Sequence, residues 1–188
     1  MSESRREHWD RRYRDGGLAP VLAAPPPYPA FAPIAHLLPT SGRALEIACG
    51  RGRGAVWLAS RGLECWGVDI SAVAIDLART LAEQSGVADR CRFDVFDLDA
   101  GLPAGEPVDL VLSHLFWDPR LDRALVARLV PGGLLAVAVR SEADAGPEEF
   151  PDGTRRARRG ELANAFGQLE LLDAAEADGI ARILARKG

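Results

Sequence analysis

The stretch Ala44-Leu45-Glu46-Ile47-Ala48-Cys49-Gly50-Arg51-Gly52-Arg53-Gly54 constrains the fold more than any other part of the chain. An apolar run of strand length leads into three glycines at alternate positions, and a helical pattern begins near Arg53 and is closed by Gly62. Glycine tolerates positive φ and lets a ligand approach the main chain. A strand must therefore turn sharply into a helix here. In an open α/β sheet such a turn lies at the carboxyl end of a strand, beside the topological switch point where ligands bind.

The rest of the chain supports a sheet of that kind. Short apolar runs at 43–48, 64–70, 91–96, 108–113 and 134–139 alternate with helical periods, the pattern of a parallel sheet covered by helices. Ser71 is placed to cap a helix whose Ala74, Leu77, Ala78 and Leu81 form a buried stripe. Asp118 and Pro119 open a later helix carrying Leu121, Leu125 and Leu129, broken by Pro131, Gly132 and Gly133. A short helix at 161–166 precedes apolar runs at 169–172 and 180–185, which read as a closing hairpin around an acidic, glycine-containing turn. The predicted fold is α/β, Rossmann-like and doubly wound: a mostly parallel seven-stranded sheet with an antiparallel C-terminal hairpin. Residues 1–39 form an N-terminal helix, a proline-rich connector and lid, and 40–188 the core. Within the first part, Ile34, Leu37 and Leu38 are expected to be buried by a short helix starting near Pro33.

Length and charge narrow the function. The 188 residues suffice for one domain. A formal net charge of −4 disfavours broad capture of nucleic acid. Cys49, Cys65 and Cys91 lack the close spacings of zinc ligands or redox pairs, so no metal is expected. No secretory signal or membrane-length apolar window is read, and a cytoplasmic monomer or homodimer is the expectation.

Asp69 follows Gly50 by nineteen residues, at the end of the second strand, where a carboxylate accepts hydrogen bonds from both hydroxyls of a ribose. A glycine loop with such an acid also describes dinucleotide binding. The spacing decides against it: the glycines run 50, 52, 54 rather than G-x-G-x-x-G, and Glu46 just before them suits a cationic amino-acid ligand better than a pyrophosphate. Glu46 also sits at a buried strand end, where a carboxylate needs a partner such as a backbone amide or the ligand's ammonium.

Together these residues resemble the class I S-adenosylmethionine-dependent methyltransferases. Glu46-x-Ala48-x-Gly50-x-Gly52 looks like their first motif, with Ala48 where glycine is usual, a mild change expected to be tolerated. The resemblance implies S-adenosylmethionine as cofactor, Asp69 with Ile70 at its ribose, and Asp97 with Leu98 at its adenine, although Asp94 and Asp99 lie close enough to change that choice. Ser113, at the end of the fourth strand, completes the implied cofactor set. Val130-Pro131-Gly132-Gly133-Leu134 resembles the turn before the fifth strand. Trp9-x-x-x-Tyr13 and the ending 181–186 are similar to small bacterial methyltransferases of the tellurite-resistance and thiopurine type.

What receives the methyl group is not written in a motif. The expectation is a small-molecule acceptor attacked in line, with His114 either a catalytic base or a hydrogen-bonded wall of the cleft. Trp117 and Phe116 are candidates for an acceptor pocket or for the core. Trp9 and Tyr13 share one helix face as a lid or as packing. Arg155, Arg156, Arg158 and Arg159 form a solvated loop or an anion contact. The competing functions are a non-catalytic cofactor-binding module and a nicotinamide-dependent oxidoreductase.

Overall fold

The computed structural model describes residues 2–16, 24–142 and 156–188. A seven-stranded sheet forms its centre, with β1 (Arg43–Ile47), β2 (Glu64–Asp69), β3 (Cys91–Val95), β4 (Val108–His114), β5 (Leu129–Arg140), β6 (Glu170–Ala177) and β7 (Ile180–Arg186) in the order β3-β2-β1-β4-β5-β7-β6. β1 to β5 pair in parallel, and β7 runs antiparallel to both β5 and β6. This is the expected α/β, doubly wound sheet with an antiparallel C-terminal hairpin. The hairpin turn is Asp178-Gly179, with φ of 54° and 72°, the two positive values that match the twist of the flanking strands.

The helices are α1 (Ser2–Asp15), α2 (Arg53–Ser60), α3 (Ala72–Gln84), α4 (Asp122–Arg128) and α5 (Glu161–Ala165). Successive strand residues point to opposite faces of the sheet. Ala44, Leu110, Leu112, Ala136 and Ala138 therefore pack with α2 and α3, whereas Leu45, Ile47, Val111, Leu135 and Val137 pack with Leu125 of α4 and Leu162 of α5. Each fully buried aliphatic side chain contributes about 1.5–3 kcal/mol of transfer free energy. Filling both faces is what makes the central strands continuous apolar runs. The chain leaves β1 for β2 and β3, then crosses back to β4 on β1's other side. The connections after β1 and β4 diverge there and open a crevice at the strands' carboxyl ends.

Residues 24–39 are more than a connector. Phe31, Ile34 and Leu38 are buried in the cluster under α2. Arg61 Nη1 donates to the Ala35 carbonyl (2.8 Å) and Nη2 to that of Leu38 (3.2 Å), while Arg182 Nη1 of β7 donates to the Ala30 carbonyl (2.7 Å). The segment is a strap held at both ends. Leu37, expected inside, is 43% exposed. The helix is a 3-10 turn over Ala32–Leu37, and the extended backbone of Leu38 (φ −78°, ψ 146°) turns that side chain inward in its place. No helix among the described residues is long and apolar enough to cross a membrane.

Candidate functional site

The site grows out of the β1 loop. Strand alternation points Glu46 toward the α2 face, under the first turn of that helix, where backbone N–H groups have no helical partner. Glu46 is 2% exposed. Its Oε2 accepts the Ala55 N–H (2.7 Å), and its Oε1 accepts the Tyr28 hydroxyl (3.1 Å). Tyr28 Oη in turn accepts the Gly54 N–H (3.3 Å). Burial pushes the Glu46 carboxyl up to about 8, against the opposing pull of the Ala55 amide and the Tyr28 hydroxyl. The backbone amide expected beside Glu46 is thus Ala55, and Tyr28 is a second partner.

Ala48 has φ of 48° in this loop. A Cβ in the left-handed region costs about 1–2 kcal/mol, so alanine at this glycine position is strained rather than neutral. Ala48→Gly is expected to raise the unfolding free energy by about 0.5–1 kcal/mol, the relief less the extra freedom of glycine in the unfolded chain. A higher urea midpoint at unchanged slope checks this; a lower one contradicts it.

Asp69 stands at the tip of β2, 6% exposed. Its Oδ2 accepts the Gly50 N–H (2.8 Å) and its Oδ1 the Ser71 N–H (2.9 Å). Burial raises its pKa, and these two amides oppose that rise. Each carboxylate oxygen keeps a lone pair for a further donor. Ser71 caps α3 as expected, accepting the Ala74 N–H (3.1 Å). Ile70 follows, half-buried. Asp97 accepts the Asp99 N–H (3.0 Å) and starts a short turn in which Leu98 is 9% exposed. Asp94 is occupied elsewhere, by the Trp66 indole N–H (2.8 Å) and Arg92 (2.6 Å), and Asp99 by Arg5 (3.0 Å) and Arg120 (2.8 Å).

α1 crosses over these strand ends. Arg5 reaches Asp99 beyond β3, and Asp10 accepts the Ser71 hydroxyl (2.5 Å) at the start of α3. Tyr13 lies against the glycine loop, its hydroxyl 2.7 Å from where a Cβ on Gly50 would stand. Burial and the nearby Asp69 raise the Tyr13 hydroxyl well above its ordinary pKa. Trp9 stacks on Tyr13, with ring centroids 5.8 Å apart.

At the end of β4 the Ser113 hydroxyl donates to the Phe116 carbonyl (2.6 Å) and closes the loop. His114 follows, its ring stacked on Tyr28 at 3.8 Å and edge-on to Phe31 at 6.2 Å. Burial first, then the charges of Arg53 and Arg140, push His114 down to about 4, so the imidazole is neutral near pH 7. Trp117 does not join this aromatic group. It is 6% exposed in the cluster on the opposite face of the sheet, its indole N–H bonded to Asp122 (2.9 Å), because the turn at Leu115 (φ 61°) carries the chain over the strand end toward α4. The aromatics packed around His114 are instead Tyr28 and Phe31, which sequence reasoning missed. The available signal was a tyrosine and a phenylalanine inside an otherwise proline-rich run, aromatics that bury an apolar body and, in tyrosine, need a polar partner. Of the basic run, Arg155 lies outside the described residues; Arg158 and Arg159 are exposed.

Residues 44–133 match a family model described as a methyltransferase domain. A tRNA 5-carboxymethoxyuridine methyltransferase of Escherichia coli (strain K12) is 36% identical over 110 residues, covering 55% of this chain and 42% of that protein. The chain thus spans less than half the length of this curated relative. Among solved structures, TehB from Haemophilus influenzae superposes with a TM-score of 0.73 at 16% identity, over 98% of this chain and 67% of that one. An S-adenosylmethionine-dependent methyltransferase from Mesorhizobium loti gives 0.68 at 19% identity, over 84% and 98%. Sheet order, loop and family match together define a class I methyltransferase domain. Residues 44–133 thus carry the methyltransferase-domain match, and the fold is that of TehB and of an S-adenosylmethionine-dependent methyltransferase.

The residues present fit that cofactor. Gly50 and Gly52 (φ 52° and 70°) hold the loop in a left-handed turn beneath Tyr13 of α1, and a buried carboxylate, Asp69, stands beside it. Glu46 adds a second buried carboxyl beneath the loop, a group whose ionised form favours a cationic ligand.

Proposed function

We propose that the chain transfers a methyl group from S-adenosylmethionine to a small-molecule acceptor by in-line displacement. The observation that carries this reading is the convergence of Gly50, Gly52 and Asp69 at the carboxyl ends of β1 and β2, beside the switch point where β4 lies on β1's other side. Asp69 and Ile70 hold the ribose end of the cofactor, and Asp97 and Leu98 the adenine end. Glu46, Ala48, Gly50, Gly52 and Ser113 shape the loop beneath its amino-acid end. Tyr13 and Trp9 cover the loop from α1. When bound, the cofactor supplies a methyl carbon activated by the positive charge on sulfur.

The chain's own task is alignment and exclusion of water. Tyr28 and Phe31 pack around His114, and the strap that carries them is held by Arg61 and Arg182. His114, neutral and poorly basic, is a weak base for removing a proton from a hydroxyl, because proton transfer is efficient only when the base's pKa lies near the working pH. The acceptor is therefore soft or already ionised when it arrives. The net charge of −4 favours a small acceptor over bulk RNA, and a cytoplasmic setting suits the three free cysteines.

Calorimetry with S-adenosylmethionine, S-adenosylhomocysteine and NAD is expected to show binding of the two sulfur nucleotides and not of NAD. Binding of NAD alone would sink the proposal in favour of an oxidoreductase. Transfer of a labelled methyl group across thiols, phenols, amines, carboxylates and RNA separates an enzyme from a binding module.

A further inference from the structure

Tyr28 joins the strap to the glycine loop. Its carbonyl accepts the Phe31 N–H (2.8 Å) and the Ala32 N–H (3.1 Å), and Ala30, two residues on, is held by Arg182, so the main chain at this point is fixed. Three further contacts place the side chain. The hydroxyl donates to Glu46 Oε1 (3.1 Å) and accepts the Gly54 N–H (3.3 Å), and the ring stacks on His114 at 3.8 Å. Glycine at 54 admits this arrangement, since a Cβ there would collide with Glu46 Oε1.

A carboxyl buried as deeply as Glu46 either keeps its proton or needs donors that meet its charge. Each oxygen has one: the Ala55 N–H on Oε2 and the Tyr28 hydroxyl on Oε1. These two donors are the strongest influences favouring the ionised form, against burial. The titratable groups around the carboxyl give it no comparable help. Asp69 at the tip of β2 disfavours its charge. Cys49 in the loop, Cys65 on β2 and Cys91 on β3 are thiols that burial keeps protonated. His114 of β4, across the Tyr28 ring, is neutral near pH 7, and Arg53 at the start of α2 is exposed. The Ala55 amide is main chain and is present whatever the sequence. The hydroxyl depends on one side chain.

We propose that Tyr28 is a positioning residue for the cofactor: by holding one oxygen of Glu46, it keeps a carboxylate charge beneath the glycine loop when cationic S-adenosylmethionine binds. The inference rests on the methyltransferase reading, which puts Glu46 at the cofactor's amino-acid end. Burial keeps the free Glu46 carboxyl protonated up to about 8, whereas the cation favours its ionised form. Binding near pH 7 therefore expels the Glu46 proton to solvent, and affinity rises with pH until the carboxyl is ionised beforehand.

Tyr28→Phe keeps the ring on His114 and removes only the hydroxyl. By calorimetry it is expected to weaken S-adenosylmethionine binding about tenfold near pH 7, the loss of one hydrogen bond to a charged group. The deficit is expected to shrink near pH 9, where ionising Glu46 no longer limits binding. In the parent protein, titration near pH 7 in buffers of different ionisation enthalpy is expected to show proton release. Glu46→Gln is expected to remove that release, and Tyr28→Phe added to it to change little. A deficit of the same size at both pH values, or a Tyr28→Phe variant that does not fold, would make the hydroxyl a brace of the first turn of α2 and overturn the proposal. Parental affinity in Tyr28→Phe, or no proton release by the parent, overturns it as well. Failure of the parent to bind S-adenosylmethionine at all removes the underlying reading instead.

Discussion

Gly52→Ala is expected to lower the unfolding free energy by about 3 kcal/mol, combining the cost of overpacking with that of a left-handed alanine. Gly52 has φ of 70°, and an added Cβ would lie 2.7 Å from Ala78 Cβ and 2.9 Å from the Phe93 ring. Ala78 is fixed in α3 and Phe93 is 4% exposed on β3, so neither has room to yield. The residue is where the loop enters α2 and touches the next helix and the third strand at once; distortion here displaces the Gly50 amide as well. Gly86→Ala provides the control, because Gly86 has nearly the same φ, 69°, and nothing within 4 Å of an added Cβ. Its expected loss is about 1 kcal/mol, the conformational part alone. Urea unfolding of both variants gives the packing cost by difference. Equal losses would show that the contacts at Gly52 carry no weight.

The chain's central strands were legible because both faces of the sheet are covered, so β1, β2, β4 and β5 read as apolar runs. β6 was half legible. It is an edge strand whose Glu170, Asp173 and Glu176 interrupt the apolar pattern, so the reading stops at Leu172 while the ladder continues to Ala177. The helix expected from Asp118 begins at Asp122, since Asp118 accepts the Arg120 N–H (2.9 Å) and holds a 3-10 turn first. Within the site, Glu46, Gly50, Gly52 and Asp69 were legible by spacing along one segment. Tyr28 and Phe31 were not, because what brings them to His114 is a strap folded back from residues 24–39, and no local period records a contact of that kind. Trp117 shows the converse. A conspicuous aromatic after β4 suggested a pocket, but one turn of backbone at Leu115 sends it to the other face.

Asp69→Asn tests whether the acid at the tip of β2 is a ligand, a brace, or both. The carboxylate ties the Gly50 amide of the loop to the Ser71 amide at the start of α3, and Ser71 also takes Asp10 of α1. Asparagine keeps one acceptor oxygen and turns an amide nitrogen toward the second N–H, leaving one buried donor without a partner. The expected loss of stability is about 1–3 kcal/mol. A brace alone would stop there: once folded, the variant would bind S-adenosylmethionine as the parent does. A ribose ligand loses a charged acceptor as well, and a charge-assisted hydrogen bond is roughly twice as strong as a neutral one. Calorimetry at a temperature where the variant is fully folded is therefore expected to show affinity weakened at least tenfold, about 1.4 kcal/mol. Destabilisation with unchanged affinity would move the ribose site away from Asp69, and weakened affinity with unchanged stability would remove its bracing role. Since the loop, α3 and the α1 cover all meet at this carboxylate, both losses are expected in the same variant, and the ligand should restore stability to it less than to the parent at equal concentration.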